Sequence, residues 1–209
     1  MHYVVVTANC TIEVLAYGAN DLSVTKYGYV KLNGDIVWQS AWYGGTIPNL
    51  VGVNIITVNP YSCSIHVPSR QFNTFAVVNA GTELANYLQQ IGCGTIIVGV
   101  TADTTTNYLS DAVPTLKALG ADVEDIQRRG AFAFVAQKAF ASKTVLRKAV
   151  TEADALNNQP NVVARVTGKR QVSLFRVNFA KIKGAAETVM SAVTSSWLVG
   201  FDKRSRMTT

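Results

Sequence analysis

The sequence predicts an α+β chain: a β-rich first part, then helix–strand–helix–strand, then a basic C-terminal appendage. Three observations carry this. An Asn33-Gly34 pair sits between two short β-rich runs. The period of the apolar residues switches from two to helical near residue 82. Excess Lys and Arg are confined to the end of the chain.

Residues 29–32 and 35–38 flank Asn33-Gly34, and this is a hairpin signal because a type I′ turn needs two residues that tolerate positive φ. Residues 51–58 read as a strand closed by the Asn59-Pro60 turn, and 64–67 and 71–75 as two shorter extended pieces. Over 82–91, Leu84, Leu88 and Ile91 fall at i, i+4 and i+7, which predicts a short amphipathic helix with Thr82 as its N-cap. Gly92-Cys93-Gly94 stops it. Residues 95–100 are apolar on both faces, as a central strand is. A second helix is expected over 110–119, where Val113, Leu116 and Leu119 share a face. Pro114 is tolerated in its first turn and Gly120 ends it. A strand at 131–136 alternates alanine with aromatics. A fairly polar helix is expected over 141–155 and an extended piece over 161–166. Residues 171–179 alternate like a further strand, and 184–199 offer a weak helix or docking segment.

Composition bounds the function. The 209 residues are 48% hydrophobic and 15% charged, enough apolar material for a sizeable core. The charged share lies below the ~25% usual for globular chains, which argues against a disordered activator or coiled coil. No apolar run reaches the roughly 18 to 20 residues that span a bilayer, so no transmembrane segment is expected. The start, Met1 to Val6, lacks a basic region and turns polar at Thr7, Asn9 and Cys10, unlike a signal peptide. This leaves a cytosolic or virion-associated protein, or a mature chain without its leader. Residues 1–168 balance eleven bases with eleven acids, whereas 169–209 hold eight bases against Glu187 and Asp202, so the whole +6 belongs there. That basic extension suits an acidic polymer or surface, or a second copy of the chain, rather than a specific nucleic acid.

Three cysteines, Cys10, Cys63 and Cys93, allow at most one internal disulfide, and Cys93 between two glycines reads as a buried free thiol. Without a C-x-x-C pair, and with only His2 and His66, no zinc site and no other cofactor are expected. Neither a P-loop, a G-x-G-x-x-G nor a G-x-S-x-G motif occurs. Cys63 and His66 would point to opposite faces of a strand, which excludes a dyad. Asp103 and Asp111 are the nearest approach to a glycosidase pair, which needs two carboxylates about 5 to 9 Å apart, and Asp111 reads more simply as a helix surface residue. The expectation is a protein that is not an enzyme.

A set of segments then points to a family: Ile12 to Gly18, the Leu32-Asn33-Gly34 hairpin, Val51 to Pro60, Phe72-Asn73-Thr74-Phe75, and Glu83 to Leu88. Gly94 to Val98, Asp103, Leu116 to Gly120 and Arg129 to Val135 complete it. In order and spacing this resembles the interleukin-like EMT inducer family, whose PANDER-like domain also forms the stem of the O-mannose N-acetylglucosaminyltransferase. The resemblance covers roughly residues 10–168. It implies two β-sheets flanked by short helices, a secreted or lumenal setting, and, as in that stem, a carbohydrate-binding groove. It also divides the chain into a PANDER-like domain, 1–168, and a basic extension, 169–209. The acidic residue of the groove falls on Asp103 and its last arginine on Arg129, while Val51, Gly130 and Phe132 replace the family's Arg, Asp and Trp. A family half-cystine near residue 169 is missing, leaving Cys10 without its expected mate.

Sugar recognition needs planar groups that meet adjacent hydroxyls and an aromatic face for the C–H side of the ring. Asp103 after the 95–100 strand and Arg129 before the 131–136 strand could meet on one rim, with Arg128 beside them. Thr104 and Asn107, with Thr101, Thr105 and Thr106, would form a polar groove wall, and Trp42, near Trp38 and Tyr43, a stacking surface. The leading expectation is therefore a non-catalytic lectin-like protein with a glycan as partner, extracellular, as the Asn9-Cys10-Thr11 sequon also allows. A second is a self-assembling structural protein whose extension docks Phe175, Phe179, Trp197 and Leu198 on a neighbour, giving a homo-oligomer. A third is a secreted cytokine-like ligand.

Overall fold

The computed structural model describes residues 2–18, 27–41, 46–151 and 160–174. The chain divides into two compact units, Val5–Arg170 and a second made of residues 1–4 and 171–209. Of the second, only residues 2–4 and 171–174 are described, as the outer ends of two strands. The segments expected at 175–179 and 184–199 lie outside the described residues.

Among the described residues, ten strands and two short helices follow in order: β1 (His2–Leu15), β2 (Tyr17–Gly18), β3 (Tyr27–Leu32), β4 (Asp35–Ala41), β5 (Gly52–Asn59), β6 (Ser64–Phe72), α1 (Ala80–Gln90), β7 (Ile96–Asp103), α2 (Val113–Ala118), β8 (Ala131–Gln137), β9 (Val145–Ala149) and β10 (Asn161–Leu174). The first sheet has the order β10-β1-β3-β4 and the second β6-β5-β7-β8-β9, with β2 attached to β7. This is the expected α+β architecture. Asn33 (φ 52°) and Gly34 (φ 99°) make the left-handed turn between β3 and β4.

Two cores explain the residue pattern of the second sheet. Ile56, Val58, Ile96, Val98, Val100 and Val135 face the first sheet, where Ile12, Val14, Val30, Leu32 and Trp38 meet them. On the opposite face Val53, Ile55, Ile97, Phe132 and Phe134 pack with Leu84, Leu88 and Leu116 of the helices. A strand covered on both sides has no polar face to show, and every residue of β7 is accordingly buried.

Four expectations change. Residues 64–72 form one strand, because β6 is an edge strand and an edge tolerates Pro68, whose missing N–H would otherwise leave a gap in the ladder. Residues 73–75 are a turn. Helix α1 begins two residues before Thr82, which caps nothing; its hydroxyl donates instead to Asp111 Oδ2 at 2.6 Å. The helix expected over 141–155 is a 3-10 turn (Ala141–Lys143) followed by β9, since the exposed edge of β8 recruits Val145 opposite Val135. The extended piece at 161–166 continues unbroken through Gly168 to Leu174 as β10.

The cysteines also differ from expectation. Cys10 of β1 is bonded to Cys63 in the β5–β6 turn, their Cα atoms 5.2 Å apart, so the chain supplies a mate the family pattern does not. Cys93 is an exposed free thiol, not a buried one, because Gly92-Cys93-Gly94 stays a surface turn before β7 begins.

Candidate functional site

Asp103 is the last residue of β7, not part of a loop beyond it. β5 fills one edge of β7 along its whole length, from Val58 opposite Ile96 to Gly52 opposite Ala102. β8 fills the other edge only as far as Val100 opposite Ala133. One step further the Thr101 hydroxyl replaces the ladder, donating to the Phe132 carbonyl (3.1 Å) and accepting from its N–H (2.9 Å). There β2 joins in parallel, with Tyr17 opposite Ala102 and Gly18 opposite Asp103. A strand has two edges, and β5 occupies the first, so β2 is wedged on the β8 side and touches β8 as well. The end of β7 is thereby flanked by β5 on one edge and by β2 on the other.

Asp103 ends β7 opposite Gly18, and Arg129 lies two residues before β8. Both hold left-handed backbone, φ 64° and 66°. Such a conformation costs a residue with a side chain about 1 to 2 kcal/mol, and arginine has no special tolerance for it. At Arg129 the turn is closed by the Gly130 N–H on the Gln127 carbonyl (3.0 Å), while the Gln127 N–H is held by Val150 (2.9 Å). Backbone strain maintained by surrounding bonds is characteristic of residues whose side-chain direction matters.

Asp103 is only 8% exposed and accepts a hydrogen bond from the Thr104 hydroxyl at 3.1 Å. Beside it runs a buried polar chain. The Leu50 N–H donates to Ser40 Oγ (2.8 Å), the Ser40 hydroxyl donates to the Tyr17 oxygen (3.0 Å), and the Tyr17 hydroxyl donates to Asn49 Oδ1 (3.0 Å). Asn49 is exposed and forms the surface end of the chain. Burial pushes the Tyr17 hydroxyl up to about 12; the Ser40 bond works against this and the negative charge of Asp103 adds to it.

The sign of the resulting pH dependence follows. Below the ordinary tyrosine value of 10.0 the proton is bound in both folded and unfolded chains, and the stabilising contribution is complete. Between there and about 12 the unfolded chain loses its proton first, and stability falls. Alkaline titration followed by tyrosinate absorbance and circular dichroism is expected to show this loss over that interval. Tyr29, pushed up to about 12 by burial and by its bond to Glu13, contributes over the same interval, so Tyr17→Phe should reduce the loss without abolishing it; an unchanged alkaline profile in that variant would refute the assignment.

The other expected residues divide. Arg128 is exposed and Arg129 half-buried. Thr101, Thr104 and Thr105 are buried, so their hydroxyls do not line a groove: Thr101 mends the ladder and Thr104 holds Asp103. Asn107 is exposed, but its amide donates to the Phe75 carbonyl (3.0 Å) and anchors the turn before α1. Trp38 is core, and Trp42 and Tyr43 lie outside the described residues. Sequence reasoning missed Tyr17, Ser40 and Asn49. Among the described residues no three His, Cys, Asp or Glu side chains are grouped to hold a metal ion.

The residues that build this end of the second sheet also carry the relationship to known proteins. Residues 51–140 match the family model of the interleukin-like EMT inducer. This stretch is similar to the interleukin-like EMT inducer domain. No curated protein matches the chain. The matched domain comprises β5 to β8 with both helices, and so contains Asp103 and Arg129. The wedge residues Tyr17 and Gly18, and Ser40 and Asn49 of the buried chain, lie before the matched stretch and complete the site from outside it.

Proposed function

We propose that the protein is a non-catalytic, lectin-like carbohydrate-binding protein whose site lies where β7 ends and β8 begins. The observation that carries this reading is the pair Asp103 and Arg129, each held in left-handed backbone, one at the end of β7 and the other just before β8. A carboxylate offers two fixed acceptors and a guanidinium a planar fork of donors, so together they match vicinal hydroxyls of a sugar ring. The exposed Asn49 amide lies at the same end of the sheet. An extracellular setting is supported by the Cys10–Cys63 disulfide, since such bonds persist in oxidising compartments. In this reading the basic residues 169–209 are a second means of attachment, to an acidic polymer or another copy of the chain.

A glycan array probed with the full chain tests it, beside Arg129→Ala and the shape-conserving Asp103→Asn. A selective hit that each substitution weakens at least about tenfold, in proteins with unchanged melting curves, is the expected result. A blank array, or hits indifferent to both substitutions, would sink the proposal.

A further inference from the structure

The first sheet has a second side. Side chains alternate along β3, so Val30 and Leu32 enter the core between the sheets while Tyr27, Tyr29 and Lys31 face outward and remain half-buried. Register places Glu13 of β1 opposite Lys31, and Gln39 of β4 opposite Tyr29. Both helices pack against the second sheet, on the far side of the molecule's central layer.

These five side chains form one network. The Tyr27 and Tyr29 rings lie 5.8 Å apart, tilted by 44°. The Tyr27 hydroxyl donates to Gln39 Oε1 at 3.1 Å, and the Tyr29 hydroxyl donates to Glu13. Lys31 Nζ lies 3.6 Å from Glu13 and 4.3 Å from the centre of the Tyr29 ring. The phenol hydroxyls are thus tied down, which fixes the rings. The charges of Glu13 and Lys31 cancel locally.

We propose that this outer face is a second glycan-binding surface, one that takes a neutral polysaccharide. The proposal rests on the reading of the chain as carbohydrate-binding but not on the Asp103–Arg129 groove. A hexose presents a C–H face and a rim of hydroxyls. The fixed Tyr27 ring suits the first, and rigid tyrosines give up little entropy when they bind. Glu13 supplies acceptors for the rim, Lys31 donors, and the Gln39 amide both. Tyr27 and Tyr29, side by side along one strand, set two aromatic groups at a separation comparable to the advance of one sugar along a chain, which favours a polymer over a monosaccharide. Because the local charges cancel, an anionic polymer gains nothing there. The competing account is that the network serves only as cross-strand pairing, whose worth is about 0.2 to 1 kcal/mol per pair.

Affinity electrophoresis separates the two. The full chain is run through gels containing hydroxyethylcellulose, mannan or xylan, with heparin as the anionic comparison. Retardation by at least one neutral polymer is expected. It should weaken roughly tenfold in Tyr27→Ala, stay intact in Tyr27→Phe, which keeps the ring, and persist in Asp103→Asn. Near-ultraviolet circular dichroism confirms that each variant is folded. Retardation by heparin alone, none at all, or a neutral-polymer response indifferent to Tyr27→Ala would overturn the proposal. A response abolished by Asp103→Asn but not by Tyr27→Ala would assign binding to the groove and overturn only the second surface. Loss in Tyr27→Ala with no effect of Asp103→Asn would establish the second surface as separate from the groove, which the glycan array tests on its own.

Discussion

Removing the Cys10–Cys63 disulfide is expected to destabilise the protein by about 4 kcal/mol, the largest effect available from a change that leaves every buried methyl group in place. The estimate follows from the loop it closes, because the two cysteines are separated by 53 residues. Without the bond, the unfolded chain recovers the freedom of that loop, while the folded contacts are unaltered. The bridge joins β1, in the first sheet, to the turn between β5 and β6, in the second. Cys10 is 1% exposed and belongs to the core between the sheets, so the bond fastens the two layers where they face each other. Urea denaturation of Cys10→Ala/Cys63→Ala against the unaltered chain measures it, with Cys93 left in place in both. A fall in melting temperature of roughly 10 °C should accompany it in a body of this size. A difference below about 1 kcal/mol would mean that the unfolded chain is already restrained, and the entropic argument would fail. Mild reductant should reproduce the effect in the unaltered chain.

What could be read from the sequence depended on how local its cause was. Asn33-Gly34 announces its hairpin because two residues decide the turn. The doubly apolar run in β7 announces a central strand because burial on both faces leaves a mark on every position. Helix α2 is legible from Pro114 and Gly120 for the same reason. Residues 141–155 misled because Lys143, Arg147, Lys148 and Glu152 resemble the polar side of a helix. Their conformation is set by β8, whose free edge takes Val145 to Ala149 as its partner.

The candidate site was half legible. Asp103 and Arg129 were located by their positions at strand ends and by family resemblance, yet the strand that meets Asp103 is a two-residue piece from far earlier in the chain. Tyr17-Gly18 is too short to show periodicity, and its pairing with Ala102 and Asp103 is a long-range event. Nor could hydroxyl counting reveal that the threonines after β7 point inward, since exposure is decided by how the strand ends pack. The disulfide was hidden for a similar reason: three cysteines permit three pairings, and only the stacking of the sheets selects one.

Gly99 gives the sharpest test of that stacking, because two effects of opposite sign compete there. Glycine inside a strand is a liability; replacing it with alanine at a compatible site stabilises by about 0.4 to 1 kcal/mol through the unfolded chain alone. At Gly99, however, an added Cβ would stand 2.0 Å from Phe134 Cε1, 2.5 Å from Cζ and 2.7 Å from Cδ1. Phe134 is the cross-strand partner of Gly99 and lies across it. The ring cannot step aside: it is wholly buried, stacked on Phe132 at 6.3 Å, and enclosed with Leu84, Leu88 and Leu116. Overpacking of this kind costs about 1 to 3 kcal/mol, more where the obstacle is a rigid ring, so the steric effect wins. Gly99→Ala is expected to destabilise by about 3 kcal/mol and Gly99→Val by more. Phe134→Leu in the same chain should recover part of the loss, since it removes the atoms that collide while sacrificing some apolar contact of its own. A double-mutant cycle in urea would then give a favourable coupling of at least about 1 kcal/mol. Strict additivity would show that the collision is relieved by backbone movement instead.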